Sequence, residues 1–305
     1  MMIQVSDLVK RYRELVALDH FNLSVEAGEI FGLLGPNGSG KTTAINCILQ
    51  LLTFDSGQIE LFGEPMSPTR YDLKRRIGVV PQDIAVFPEL SVRENIDYFC
   101  SLYVPEKQKR KELVDAAIEM VELKDFVKFR PKKLSGGLAR RLNIACGIAH
   151  RPELIFFDEP TVAVDPQSRN AILEGIQQLG RDGSTIIYTS HYMEEVEQIC
   201  TRIMIMDHGK ALATGTNLEL KAMVDAGEHV EIELTEPSQT AADLIAALPG
   251  VSKAQLDGTT LRCTVAPGGV QLGQLLDKLA DAHIDYRRVY SEPPTLNDVF
   301  LAITG

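Results

Sequence analysis

Apolar positions along this chain alternate between strand-like and helix-like spacing, and each switch marks a change of element. Residues 3–10 (IQVSDLVK) and 21–34 (FNLSVEAGEIFGLL) carry runs of strand type and predict a β layer at the start. Within the second, 29–34 (EIFGLL) is a short apolar run of the kind a buried strand shows. Residues 42–52 (TTAINCILQLL) are helical in pattern, and from about 91 to 150 the helical period dominates. Ser91 and Glu94 form a capping-box pair ahead of a stripe made by Val92, Ile96, Phe99 and Tyr103. Val114, Ile118 and Val121 make a second stripe. Leu138, Leu142, Ala145 and Ala149 make a third, behind Ser135 at an N-cap position. Apolar strands at 154–157, 184–190 and 202–207 then return to an α/β core.

The pattern restarts after residue 225. Residues 229–234 (HVEIEL) alternate as a strand, and Ala241, Leu244, Ile245 and Leu248 fall at helical spacing. A hairpin is predicted around Asp257-Gly258 in 251–265, followed by a helix bearing Leu272, Leu275, Leu276 and Leu279 and a strand over 284–290. The order β-α-β-β-α-β is that of a small ferredoxin-like α+β unit. A closing helix begins at the pair Thr295 and Asp298, with Leu296, Val299, Phe300 and Ile303 on one face. The expected domains are therefore 1–225, with a helical insertion at about 85–150, and 226–305.

Composition narrows the function more than the fold. A net charge of −11 argues against a nucleic-acid or anionic-membrane surface. No stretch of about 18 apolar residues is present, and 1–20 lacks the apolar centre of a secretory signal, so a cytoplasmic location is expected. The five cysteines are scattered without a C-x-x-C spacing and read as reduced, packed thiols.

The chemistry concentrates after the first buried run. Gly35, Gly40, Lys41 and Thr42 satisfy G-x-x-x-x-G-K-[ST] between a strand and a helix, which is the setting a phosphate loop requires. Gly35, Gly38 and Gly40 let backbone amides curl round phosphates, with Pro36, Asn37, Ser39 and Thr43 completing the loop. Lys41 suits β- and γ-phosphates, and the Thr42 hydroxyl suits magnesium. At the end of the apolar strand 154–157, Asp158 would complete the magnesium shell directly or through water, and Glu159 would orient or deprotonate an attacking water. Two acids there also fit a solvated strand end; the upstream loop favours the catalytic reading. Gly136 and Gly137 leave bare amides at the start of a helix, a second anion site.

These motifs, in this order, closely resemble the ATP-binding cassette (ABC) ATPases over about residues 2–223. The resemblance implies a P-loop NTPase cassette of α/β class, with an antiparallel β subdomain and an inserted helical subdomain. It implies that Tyr12 stacks on adenine, although an exposed tyrosine has other uses. By the same resemblance Gln82 in 77–83 (IGVVPQD) reaches magnesium and water, 134–141 (LSGGLARR) is the signature motif, Asp165 belongs to the loop after the catalytic acid, and His191 contacts the γ-phosphate. It also explains the two phosphate sites. Each ATP would lie between Lys41 of one copy and Ser135, Gly136 and Gly137 of another, in a head-to-tail homodimer.

Two positions depart from the family pattern: Leu138 stands where glutamine is frequent, and Ala163 where glycine or serine is. The tail resembles bacterial drug- and polymer-export ATPases. The chain is therefore expected to be an exporter's ATPase that uses ATP and Mg2+, held at the inner membrane face by a transmembrane permease subunit docking near Gln82. The C-terminal unit would sense a ligand, stabilise the dimer or dock the permease. An importer ATPase and a soluble non-transport ABC ATPase are the alternatives. The latter would need coiled-coil insertions, zinc cysteines or a second cassette, none of which is visible.

Overall fold

The run 21–34 is not one strand. A turn at Ala27 and Gly28 divides it into β2 (Leu15–Val25), paired with β1 (Ile3–Tyr12), and β3 (Ile30–Leu34), which enters a different sheet. This computed structural model describes residues 1–224 and 227–304. The expected domain limit at 225/226 falls on Asp225 and Ala226, outside the described residues. By compactness the chain divides into Met1–Asn217 and Leu218–Gly305.

In the first unit, β3 leads through the glycine loop to α1 (Lys41–Ile48). That helix ends short of the expected 42–52, because Gln50 takes a left-handed backbone (φ 55°) that cannot continue it. The strands β4 (Ser56–Leu61) and β5 (Glu64–Pro65) join β1 and β2 in an antiparallel sheet of order β2-β1-β4-β5. After α2 (Tyr71–Lys74) and β6 (Ile77–Val80) comes the helical stretch α3 (Val92–Ser101), α4 (Lys107–Met120) and α5 (Gly136–Ile148). The Ser91 cap is formed as expected: Glu94 N–H donates to Ser91 Oγ (3.3 Å) and Ser91 N–H to Glu94 Oε2 (2.7 Å). Tyr103, expected on the α3 stripe, lies beyond the helix and stacks instead on His150, ring centroids 3.8 Å apart.

The core sheet is completed by β7 (Leu154–Asp158), α6 (Pro166–Arg181), β8 (Thr185–Ser190), α7 (Met193–Ile199), β9 (Arg202–Asp207) and β10 (Lys210–Gly215), in strand order β10-β9-β3-β8-β7-β6. All neighbours are parallel except β10, which runs antiparallel on the edge. Every residue of β3, β7 and β8 is buried. A two-sided core explains why these segments read as unbroken apolar runs. Phe31, Leu33, Ala44 and Ile48 pack in one cluster with Ile3, Val5, Phe21 and Leu23, fastening the antiparallel sheet to the core. Because β3, β6, β7 and β8 are parallel, the loops leaving their C-terminal ends emerge along one edge. The first of those loops leads into Lys41 at the start of α1, and the others carry Gln82, Glu159 and His191.

The second unit follows α8 (Asn217–Ala222) with β11 (Glu228–Leu234), α9 (Gln239–Ala246), β12 (Val251–Asp257), β13 (Thr260–Val265), α10 (Leu272–Asp281), β14 (Tyr286–Glu292) and α11 (Leu296–Thr304). Its antiparallel order β12-β13-β11-β14 is the split β-α-β arrangement of a ferredoxin-like unit. Val230, Ile232, Leu261, Cys263, Ile245, Leu275 and Leu279 form its core. Thr295 caps α11 as expected, its backbone N–H donating to Asp298 Oδ2 at 2.8 Å. All five cysteines are free, four of them buried.

Candidate nucleotide site

The loop 35–40 can fold tightly because two of its glycines are left-handed, Gly38 at φ 84° and Gly40 at φ 106°. At Gly40 a Cβ would also stand 2.8 Å from the Ala17 carbonyl oxygen, so no other residue fits without a backbone shift. Gly35 and Ser39 are buried, while Pro36, Asn37 and Gly38 are exposed along the outer rim. Lys41 opens α1 and is 4% exposed. Its Nζ donates to the Gly35 carbonyl (2.7 Å) and the Pro36 carbonyl (3.1 Å), and lies 3.7 Å from Glu159 Oε1. Burial lowers the Lys41 pKa below the ordinary lysine value, and the Glu159 and Asp158 carboxylates oppose that shift. Thr42 is exposed, Thr43 half-buried on the same first turn.

The two acids point to different partners. Asp158 Oδ1 accepts from Thr189 Oγ1 (2.7 Å) and Thr42 Oγ1 (3.3 Å). Glu159 accepts from Gln82 Nε2 at 3.2 Å, and its own N–H donates to Thr189 Oγ1 at 3.0 Å. His191 Nδ1 stands 3.4 Å from Glu159 Oε2, within ion-pair range but without hydrogen-bond alignment. The structure therefore gathers Lys41, Thr42, Gln82, Asp158, Glu159 and His191 at one strand edge. Glu159 holds a left-handed backbone (φ 47°), unusual for a side chain of its size and the kind of strain found at functional sites.

The remaining candidates lie outside this network of contacts. Tyr12 is 45% exposed beside the β1–β2 hairpin tip, with Lys10 Nζ 5.0 Å from its ring centre. Ser135 is exposed and uses its Oγ to cap its own helix through Leu138 N–H (3.3 Å). Gly136 faces open space. A Cβ on Gly137 would fall 2.7 Å from Ser168 Oγ and 3.3 Å from Asp165 Oδ2. Gly137 thus lets α5 approach the start of α6, where Asp165 Oδ1 caps Ser168 N–H at 2.9 Å. That bond holds the Asp165 carboxyl below its usual pKa.

Several participants were not visible beforehand. Thr189 bridges both acids. Arg140, 7% exposed on α5, donates to the Gln82 and Pro81 carbonyls. Asn143 donates to the Pro81 carbonyl (3.1 Å) and accepts from Ala85 N–H (2.9 Å). The α5 stripe hid these two, since buried polar residues interrupt an apolar face without any local signal. A cavity of about 1020 Å3 lies elsewhere, between α4, α5 and α6, and no phosphate-loop residue lines it.

A glycine loop leading from a buried parallel strand into a helix, with an acidic pair at the end of a parallel strand two places along the sheet, defines a P-loop nucleotide-binding protein. Residues 18–162 match the ABC transporter family, and residues 215–304 match the C-terminal domain of ATP-binding proteins like DrrA1-3. The linearmycin resistance ATP-binding protein LnrL of Bacillus subtilis is 35% identical over 306 residues, spanning 100% of this chain and 98% of that protein. The Nod factor export ATP-binding protein I of Burkholderia thailandensis is 33% identical, across 99% of this chain and 97% of its own length. A dimeric ATP-binding cassette in a post-hydrolysis state, bound to ADP and Pi, superposes with a TM-score of 0.65 at 26% identity, covering 70% of this chain and 98% of that one. The chain belongs to the ATP-binding subunits of the ABC transporter family, and its first unit is an ABC ATPase.

Proposed function

We propose that this chain is the ATPase subunit of an exporter, working as a head-to-tail pair beneath a separate transmembrane permease. The observation that carries the pairing is a division within one chain. Lys41, Thr42, Gln82, Asp158, Glu159 and His191 converge, whereas Ser135 and Gly136 sit exposed at the amide end of α5, the Ser135 hydroxyl bonding within its own turn. A second copy would present those amides and the Ser135 hydroxyl to the γ-phosphate held by Lys41. Tyr12, exposed near the hairpin tip, offers a ring to adenine.

In this reading Glu159 takes the proton of the attacking water while Gln82 and His191 hold water and γ-phosphate in line. Asp165 shapes the loop between Glu159 and α6, beside Gly137. The oxygen donors fit magnesium: the Thr42 hydroxyl and the Asp158 carboxylate already face each other at 3.3 Å, and Gln82 adds an amide oxygen. Bound there with ATP, Mg2+ would neutralise phosphate charge.

Export is supported by the relatives, one named for drug resistance and one for export, and by the shared C-terminal domain. Next to the Gln82 loop, Phe87, Tyr98 and Phe99 form an aromatic group, with Phe87 and Tyr98 rings 4.9 Å apart and both exposed. This is where the permease would dock, keeping the subunit at the inner membrane face. Among the described residues no helix is long and apolar enough to cross a membrane. Residues 226–305 are then an accessory domain of the cassette.

Mixing two inactive variants tests the pairing. Lys41→Ala loses one half of the site and Ser135→Arg the other, so the mixture rebuilds one intact composite site and regains ATPase activity. Two folded variants that stay inactive in every ratio would sink the trans arrangement.

A further inference from the structure

Behind the buried acids Asp158 and Glu159 lies a third. Glu195 on α7 is 3% exposed. Its Oε2 accepts from three hydroxyls, Thr161 Oγ1 (2.8 Å), Tyr188 OH (2.8 Å) and Ser190 Oγ (2.9 Å). Arg169 Nε on α6 stands 3.3 Å from its Oε1, in ion-pair range though not aligned for a hydrogen bond. Thr161, Tyr188 and Ser190 are themselves at most 1% exposed. So many dry donors on one carboxylate form a high-stakes network, strong when complete and costly when broken.

The positions of these donors give the network its meaning. Thr161 follows Glu159 by two residues, in a loop where Glu159 and Ala163 are both left-handed. Ser190 directly precedes His191, and its Oγ also accepts from Tyr192 N–H at 2.9 Å. That bond occupies the hydroxyl's acceptor side and leaves its proton for Glu195. The His191 turn is thereby tied back on α7. Arg169 reaches over the Tyr192 ring at 5.0 Å, and Tyr192 lies against His191 with ring centroids 4.1 Å apart. One carboxylate therefore joins the loop carrying Glu159, the loop carrying His191 and the helix that follows Asp165.

We propose that Glu195 is a positioning residue for ATP hydrolysis, setting Glu159 and His191 relative to each other through Thr161 and Ser190. This rests on the nucleotide-site reading above. A base and a phosphate contact on separate loops need one shared reference, because small misplacements of reacting groups cost large factors in rate. Glu195 supplies that reference without touching the substrate. Its loss should lower kcat and leave the binding of ATP by Lys41 and the glycine loop intact.

The test uses the full chain with ATP and Mg2+. Glu195→Gln keeps the shape and one acceptor oxygen. Ser190→Ala and Thr161→Val each remove one donor at little change in volume, and they carry the test if Glu195→Gln fails to fold. Each substitution should lower kcat about tenfold with KM for ATP within about twofold. Ser190→Ala combined with Glu195→Gln should cost little more than the worse of the two alone. Unchanged kcat in folded variants, a loss carried by KM, or a double variant whose losses multiply would each overturn the proposal. Glu159→Gln assayed beside them separates the two readings. If it abolishes hydrolysis while the Glu195 set is unaffected, only the positioning role fails; if it too retains full activity, the site assignment fails first.

Discussion

Arg140 on α5 donates its guanidinium to the main-chain carbonyl of Gln82, so the helix capped by Ser135 holds the glutamine loop directly. Asn143, one turn further on, grips Pro81 and Ala85 of the same loop. Movement of α5 is thereby mechanically linked to the residue that faces Glu159. Arg140→Met keeps the aliphatic packing and releases the carbonyl. Steady-state kinetics should show kcat about tenfold lower, with stability down by about 1–2 kcal/mol from the lost charged hydrogen bonds. Undiminished kcat would mean the grip is only structural.

Glu159→Gln removes a carboxylate that accepts from Gln82 and lies beside Lys41 and His191. ATP binding should persist in calorimetry, hydrolysis should nearly vanish, and light scattering should find an ATP-dependent dimer. The neutral amide takes a negative charge away from the phosphate position and frees Lys41 from its ion pair, so phosphate binding should not weaken. A variant that still turns over would place the base elsewhere.

Ala163 holds φ 59°, a left-handed backbone that glycine adopts without steric cost. Left-handed conformation costs a non-glycine residue about 1–2 kcal/mol, and glycine returns part of that gain as unfolded-state entropy. Ala163→Gly should raise stability by about 0.5–1 kcal/mol in chemical denaturation. A loss of stability would show that the loop is held without strain.

His150 stacks on Tyr103 and bonds the Ile77 carbonyl through Nε2 (3.1 Å), and burial holds its pKa at about 4, below the ordinary 6.5. The unfolded chain takes up this proton near pH 6.5, whereas the folded chain resists until about pH 4. Stability is thus undiminished above pH 6.5 and falls as pH drops through that window, by about 2 kcal/mol at pH 5. His150→Phe keeps an aromatic face and loses the proton. Its stability difference between pH 7.5 and pH 5 should shrink by about 2 kcal/mol; an unaltered difference would assign the acid sensitivity to other groups.

How much could be read in advance depended on the distance over which each signal acts. The glycine loop, the caps at Ser91, Ser135 and Thr295, the hairpin at Gly258 and the buried runs of β3, β7 and β8 are local. Each is set by steric and hydrogen-bonding needs of residues a few positions apart. The helix α6 escaped notice although Asp165 caps it and Ile172, Leu173 and Ile176 line its buried face. That stripe is short within a long polar helix. Arg140 and Asn143 likewise looked like interruptions of an apolar face.

By itself, then, the order of residues determined most element types and a two-part organisation, and marked the glycine loop, the acidic pair and the histidine as candidates. Tertiary structure alone decided that Arg140 reaches Gln82, that Thr189 serves both acids, and that Glu195 gathers donors from loops of different strands. Those choices depend on parallel strands bringing distant loop ends to one edge. There a buried polar group must find whichever partner the fold delivers, and no spacing along the chain encodes that encounter.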